Sequence, residues 1–409
     1  MTVTADDIRA AAETIHGAVV KTPTVLARRL GELTEARVWL KLENLQYTGS
    51  FKDRGSLVKM SSLSDQERTA GVIAASAGNH AQGVAYHARR LGAPATIVMP
   101  EGTPFTKIEQ TRHLGAEIVM HGEGLDEATD HAVGIAAEEG RTFVHPYDDE
   151  RIIAGQGTVA LEMLAEVPDL DVLIIPIGGG GLISGNAIAA KALKPDISII
   201  GVEAALYPSM YQAIHHIPTT SGGQTIAEGI AAKRPGELTR PIVEELVDDV
   251  LLVGEDALER AVQTMLEAEK IVTEGAGAAP LAALQSHRER FTGRRVGLVI
   301  SGGNIDARLL GSILMRGLVR EGRVVRFRVT INDQPGVLAK VAQLIGDTGA
   351  NIIEVYHQRL FYDLPVKLAE LDVVVETRNA DHVQEILAGL TAIGFETRLL
   401  SSTAVDSAG

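Results

Sequence analysis

The segment DVLIIPIGGGGL, residues 171–182, carries an unbroken apolar run from Val172 to Ile177 and ends in four consecutive glycines. A strand with one wet face would alternate apolar and polar residues. This one does not, so it reads as a strand buried on both sides, the habit of parallel sheets covered by helices. The same texture returns in GVIAAS near residue 71, ATIVMP at 95, AEIVMH at 116, ISIIGVE at 197 and VGLVISGG at 296. Amphipathic helices separate the runs. Within residues 256–269, Ala257, Leu258, Ala261, Val262, Met265 and Leu266 mark one face at helical spacing. Up to about residue 320 the pattern predicts an α/β wound sheet.

After GLVREGR, residues 317–323, the period shortens to two. Val325, Phe327, Val329 and Ile331 alternate with Arg326, Arg328 and Thr330, giving a strand with one wet face. A helix follows from about Gly336, with Val337, Leu338, Val341, Leu344 and Ile345 on one side and Gly349 as its stop. Strands over 352–358 and 371–377, a helix marked by Val383, Ile386, Leu387, Leu390 and Ile393, and a strand over 395–400 complete a βαββαβ unit of ferredoxin-like order. The expected organisation is a first region over 1–322, in two lobes of which the smaller spans roughly 50–150, a second domain over 323–402 and a frayed tail over 403–409.

Composition narrows the chemistry. A chain of 409 residues, 45% hydrophobic and 22% charged, is ordered and globular, with material for two or three domains. The absence of cysteine excludes a disulfide scaffold, a thiolate zinc site, an iron–sulfur cluster and a Cys nucleophile, and fits a reducing compartment. The net charge is −15, with acids in excess on both sides of residue 323, which excludes a basic nucleic-acid-binding surface. Any bound anion must then be held by main-chain N–H groups, a helix N-terminus or individual side chains. MTVTADDIRAAAETIHG at the start has acids where a secretory or transit peptide has bases, and no apolar run reaches membrane-spanning length. The expectation is a soluble cytoplasmic protein without nucleic-acid or membrane partners.

In a wound sheet, ligands bind beyond the carboxyl ends of the strands. Three glycine-rich turns stand there: SAGNH at 76–80, GGGGL at 178–182 and SGGN at 301–304. GxGxxG fails at the second, because Ile183 or Ser184 takes the last position, and the lysine of a phosphate loop is absent. A nucleotide is disfavoured, which leaves two readings open: a nest for a single phosphate, or close helix–sheet packing. NLQYTGSFKDRG, residues 44–55, places Lys52 at a helix start, after Gly49 and Ser50 and beside Phe51. Desolvation there would depress its ammonium pKa, as an amine that attacks a carbonyl requires. Taken alone, a helical lysine is more simply a solvated one.

Together, SFKDRG, SAGNHAQG, GGGGL and SGGN, in this order and spacing, resemble the fold type II enzymes that use pyridoxal phosphate, and within them the threonine ammonia-lyases, or threonine dehydratases. The resemblance runs through residues 5–320, and TIAEGIAAKRPG at 225–236 narrows it to the dehydratase and serine racemase branch. It implies a two-lobed fold like that of the tryptophan synthase β subunit. NDQPGVLAKVAQLIGDTGANI at 332–352 resembles an ACT domain, an amino-acid-sensing module attached to such enzymes.

By that resemblance pyridoxal 5'-phosphate is the cofactor. Lys52 holds it covalently with Phe51 alongside, and Gly178, Gly179, Gly180, Gly181 and Leu182 bind its phosphate. Asn79 hydrogen-bonds its ring oxygen, and Ser301 faces its ring nitrogen. Ser76, Ala77, Gly78, Asn79 and His80 grip the substrate carboxylate. A neutral serine at the ring nitrogen softens the electron sink and favours elimination. Lys52, once freed, removes the α-proton as general base. The β-hydroxyl leaves with a proton from the cofactor phosphate or a water on it, giving ammonia with 2-oxobutanoate from threonine or pyruvate from serine. Racemases of this group carry a second serine in the first turn, where this chain has Ala77. They also bind a metal through acids near a strand end, where this chain keeps Glu203 but has Tyr207 and Ser209, so no metal is expected.

Other residues stay ambiguous. His80 and His87 share a helix face without HExxH spacing and read as packing residues. Glu274, in TEGAGAAP, reads as a family turn near the cofactor ring or as a capping acid. Gly229 either approaches the ring or serves a turn. The ACT-like unit implies an effector, isoleucine or valine, bound near Asp333, Gly336, Val337, Leu338, Asn351 and Ile352 between two such units of a homodimer or homotetramer, and hence a place in isoleucine biosynthesis. A purely oligomer-building role is the alternative. A lyase for L-serine or 3-hydroxyaspartate, and an amino-acid sensor on a dead lyase scaffold, are the rival functions.

Overall fold

The computed structural model describes residues 3–358, 365 and 367–400, so the tail expected over 403–409 lies outside the described residues. The chain divides into two compact units, Met1–Ile305 and Asp306–Gly409.

In the first unit the strands are β1 (Thr24–Leu26), β2 (Arg37–Leu42), β3 (Val72–Ala75), β4 (Ala95–Met99), β5 (Glu117–Met120), β6 (Thr142–Phe143), β7 (Val172–Pro176), β8 (Ser198–Ala204), β9 (Asp249–Val253) and β10 (Arg295–Ile300). They form a six-stranded sheet in the order β1-β2-β10-β7-β8-β9 and a four-stranded sheet in the order β5-β4-β3-β6. Only β1 runs antiparallel to its neighbour. Each apolar run expected as a strand is one, and β7 is buried at every position. β2 escapes the sequence pattern because Lys41 interrupts it. That lysine is nonetheless fully buried, its Nζ donating to Thr22 O and Glu162 Oε2, both at 2.6 Å. The helix expected over 256–269 is α-helical over Glu255–Thr264 and widens to a π-turn over Met265–Glu269, ended by Lys270 at φ 60°.

Helices Lys52–Ser61, Glu150–Glu166 and Gly181–Leu193 pack at unusually short range. A Cβ on Gly155 would stand 2.6 Å from Gly55 Cα, and one on Gly185 would stand 2.6 Å from Gly157 N. Arg54 locks the same junction. Fully buried, it donates Nε and Nη2 to Glu43 and Nη1 and Nη2 to Glu162, each at 2.8 Å. Such a buried fork is tolerated because every charge meets its partner. The helix that begins at Lys52 is thereby fixed.

The second unit holds helix Ala307–Arg320 and strands β11 (Val324–Asn332), β12 (Asn351–Gln358), β13 (Leu368–Glu376) and β14 (Glu396–Leu400), antiparallel in the order β12-β13-β11-β14. Helices Val337–Asp347 and Ala380–Ala392 complete the βαββαβ order. Phe327, Val329, Ile331, Leu371, Val373 and Val375 form the sheet side of its core. β13 starts ahead of the expected residue 371, because Glu370 and Asp372 lie within the sheet and pair with Arg328.

Candidate active site

Lys52 opens its helix behind a loop stitched to the 301–304 turn. Phe51 N donates to Ser301 O at 3.0 Å and Gly303 N to Gly49 O at 2.9 Å, while Ser50 bridges Gly302. Buried Ser301 at the end of β10 thus stands beside the lysine's own backbone. The Lys52 amine donates to Pro146 O at 2.6 Å and lies 5.1 Å from the centre of the Phe51 ring. Among the described residues no carboxylate is within ion-pairing distance of it, unlike Lys41 and Lys59, which pair with Glu162 and Asp149. Burial pushes its ammonium down to about 8, against an upward pull from Glu274. A deprotonated amine is therefore cheap near neutral pH.

The segment whose carbonyl accepts the Lys52 hydrogen bond leads to the glycine turn. Tyr147 packs so closely on Gly179 and Gly181 that a Cβ on Gly179 would fall within its ring. Asp148 accepts from Glu237 N and Leu238 N at 2.9 Å, and His145 Nδ1 from Asp148 N at 2.7 Å. Gly180, at φ +100°, turns the chain into helix Gly181–Leu193. Gly179 O is taken by Thr239 Oγ1 at 2.6 Å and by Gly236 N at 3.1 Å. Among the described residues, no acceptor meets the main-chain N–H groups of Gly178 to Leu182. This is a sheltered row of unpaired donors at a helix N-terminus, and it fits a phosphate. The turn packs closely and also leaves its donors free.

The 76–80 turn leaves β3 and enters helix Asn79–Leu91. Ser76 Oγ accepts from Gly78 N at 3.2 Å. His80 is buried with Nε2 2.8 Å from Val144 O, and burial pushes it down to about 3. His87 is buried 3.7 Å from Asp53. Both are neutral packing residues, as their spacing suggested. Asn79 Nδ2 donates to Glu274 Oε1 at 2.7 Å, so the Glu274 carboxylate does not cap the helix it precedes. Burial pushes Glu274 up to about 7, with the Asn79 hydrogen bond opposing. A Cβ on Gly229 would stand 3.4 Å from Glu274 Oε1, which places the 225–236 segment at the same spot.

Lys52, Phe51, Ser301, Asn79 and the 178–182 turn therefore converge, through Pro146–Tyr147 on one side and Glu274 on the other. Pro146 and Tyr147 stand outside the motifs quoted from the sequence, and Thr48 and Asn304 fall inside two of them without a role of their own. The HPYDD run at 145–149, directly after a strand, is the signal that could have flagged the first two. Glu203 lies elsewhere in the unit, its oxygens accepting from Met210 N and Tyr211 N at 2.8 Å, and burial pushes it up to about 8. Among the described residues no group of three or more His, Cys, Asp or Glu could hold a metal. Asp333, Gly336, Val337, Leu338, Asn351 and Ile352 all belong to the second unit.

A buried amine without an ion-paired carboxylate, a free amide cradle and a buried neutral hydroxyl are what a phosphorylated aldehyde cofactor needs, and the match to known families agrees. Residues 15–302 match the pyridoxal-phosphate dependent enzyme family and residues 321–394 the ACT domain. The chain belongs to the pyridoxal-phosphate-dependent enzymes of fold type II and carries an ACT domain at its C-terminal end. Its relatives are more particular. It is 42% identical over 400 residues to an L-threonine ammonia-lyase of Thermotoga maritima, covering 97% of this chain and 100% of that one. Among solved structures it resembles maize serine racemase, with TM-score 0.73 and 34% identity, covering 79% of this chain and 100% of that one. It also resembles the processed form of threonine deaminase isoform 2 from Solanum lycopersicum, with TM-score 0.72 and 35% identity, covering 76% and 91%.

Proposed function

We propose that this enzyme is a threonine ammonia-lyase, converting L-threonine to 2-oxobutanoate and ammonia by β-elimination. The observation that carries the reading is the Lys52 amine, which has no carboxylate within ion-pairing distance among the described residues, is lowered to about 8 by burial, and donates to Pro146 O next to the Tyr147 ring that packs on the glycine turn. Bound pyridoxal phosphate supplies the electron sink that acidifies the α-proton of an attached amino acid. Lys52 would carry the cofactor, and its amine, lowered to about 8 by burial, would act as the general base for that proton. The N–H groups of Gly178 to Leu182 would hold the phosphate, and the neutral hydroxyl of buried Ser301 would serve the ring nitrogen. Asn79, whose Nδ2 donates to Glu274, would use its second N–H for the ring oxygen. His80 spends its ring on Val144 O, so it would offer a substrate carboxylate its main-chain N–H, together with those of Ala77 and Asn79, while Gly78 N–H is held by Ser76 Oγ. The Ala77 methyl cannot exchange a proton on the opposite face of the α-carbon, which argues for elimination over racemisation. L-Serine is a second substrate because its β-hydroxyl leaves by the same route.

The second unit supports amino-acid control and a homo-oligomer. Asn351 pairs with Glu376, which pairs with Val324 at the start of β11, whereas Asp333 follows the end of that strand. The two effector sets lie at opposite ends of one sheet, about 30 Å apart at the usual rise per residue. An effector touching both must bind between two copies. The cysteine-free composition supports a cytoplasmic setting.

The test is purified protein with pyridoxal phosphate and a panel of threonine, serine and 3-hydroxyaspartate, measuring 2-oxo acid, with and without isoleucine or valine. Threonine should be turned over with the highest kcat/KM. Preference for 3-hydroxyaspartate would replace the assignment, and indifference to both branched amino acids would remove the sensing role.

A further inference from the structure

The polar contacts around Asn79 have a direction that can be traced to one main-chain carbonyl. Asn304 Nδ2 donates to Thr48 O at 2.7 Å and to Asn79 Oδ1 at 2.7 Å. A peptide carbonyl only accepts, so the Asn304 atom facing Thr48 must be the NH2 group, and both its hydrogens are then committed. Asn79 must answer with its oxygen, which turns its own NH2 toward Glu274 at 2.7 Å. The origin of the chain is itself fixed: Thr48 N and Oγ1 donate to the Asp53 carboxylate at 3.1 and 2.5 Å, and Asp53 follows Lys52 on its helix. Gly49, at φ +74°, leaves room for the Asn304 amide, since a Cβ there would stand 2.6 Å from Asn304 Oδ1. The relay joins the loop before Lys52, the turn after β10 and the first residue of helix Asn79–Leu91.

We propose that Asn304 is a positioning residue that fixes the amide orientation of Asn79, so that Asn79 presents N–H rather than C=O to the cofactor ring oxygen. The proposal rests on the reading that Asn79 contacts that oxygen. Asn304→Asp preserves the shape but removes both donors, so the Asn79 amide gains by reversing, and a carbonyl then faces an oxygen that needs a donor.

The experiment compares holoenzyme carrying Asn304→Asp, Asn79→Ala and both, by threonine kinetics, the visible absorption band of the lysine-bound cofactor, and melting temperature. Asn304→Asp should lower kcat roughly 10-fold or more, the size expected for one hydrogen bond to a charged group. It should displace the band in the same sense as Asn79→Ala. The double variant should match Asn79→Ala within about 2-fold, because Asn304 acts only through Asn79. A wild-type band and kcat in Asn304→Asp, or losses that multiply in the double variant, overturn the proposal while leaving the enzyme assignment intact. An unchanged band in Asn79→Ala overturns the placement of Asn79 at the ring and the proposal with it. If Asn304→Asp does not fold, Asn304→Ser, which keeps one donor, is held to the same comparison.

Discussion

Replacing Glu274 by Gln isolates the cost of ionising a carboxyl beside Lys52. In the cofactor-free protein burial raises Glu274 from 4.5 to about 7, while Asn79 Nδ2 donates to it at 2.7 Å. A raised carboxyl binds its proton more tightly when folded than when unfolded. Its contribution is fully present below pH 4.5 and is lost as pH rises through 7. At roughly 1.4 kcal/mol per unit of pKa, the loss is at most about 3 kcal/mol, a ceiling because the side chain is not wholly shielded. Gln keeps the acceptor for Asn79 and cannot ionise, so it escapes the loss. With about 2 °C of melting temperature per kcal/mol for a unit of this size, the stability of Glu274→Gln relative to wild type should climb by about 6 °C between pH 4.5 and pH 8. Differential scanning of cofactor-free wild type and variant across that range reads the difference directly. A difference constant with pH would refute the raised carboxyl and, with it, the idea that Glu274 holds a proton close to Lys52.

Arg54→Met leaves fully buried Glu43 without its cation, while half-buried Glu162 keeps Lys41, and should lower the unfolding free energy by about 3–5 kcal/mol in urea titrations of holoenzyme. A loss below about 1 kcal/mol would show the fork to be incidental. Gly179→Ala drives a methyl into the Tyr147 ring, an overpacking of about 1–3 kcal/mol, and should weaken pyridoxal phosphate binding between about 5- and 150-fold by equilibrium titration. Unchanged affinity would detach the glycine turn from the phosphate.

The sequence exposed whatever depends on a continuous pattern. β7, β8 and β10 are buried on both faces and read as apolar runs. β11 is wet on one face and reads as alternation. The three ligand turns were visible because glycines must follow strands there, and Lys52 because an aromatic and a helix start flank it. β2 was hidden by Lys41, a charge that survives burial only because Glu162, distant in the chain, meets it. The convergence of Thr48, Asn79, Glu274 and Asn304 was hidden for the same reason: each residue is ordinary in its own segment, and the contacts join segments more than 190 residues apart. Asp333 and Asn351 are separated in the chain by the helix Val337–Asp347, which carries Asn351 to the far end of the sheet.

Lys52 is the residue proposed to bear the cofactor. Holoenzyme reduced with borohydride, digested and mapped by mass spectrometry should carry the pyridoxyl group on the peptide containing Lys52, and L-threonine added before reduction should lower that label. A label on Lys41, Lys59 or any other lysine, or no label at all in protein that deaminates threonine, would contradict it.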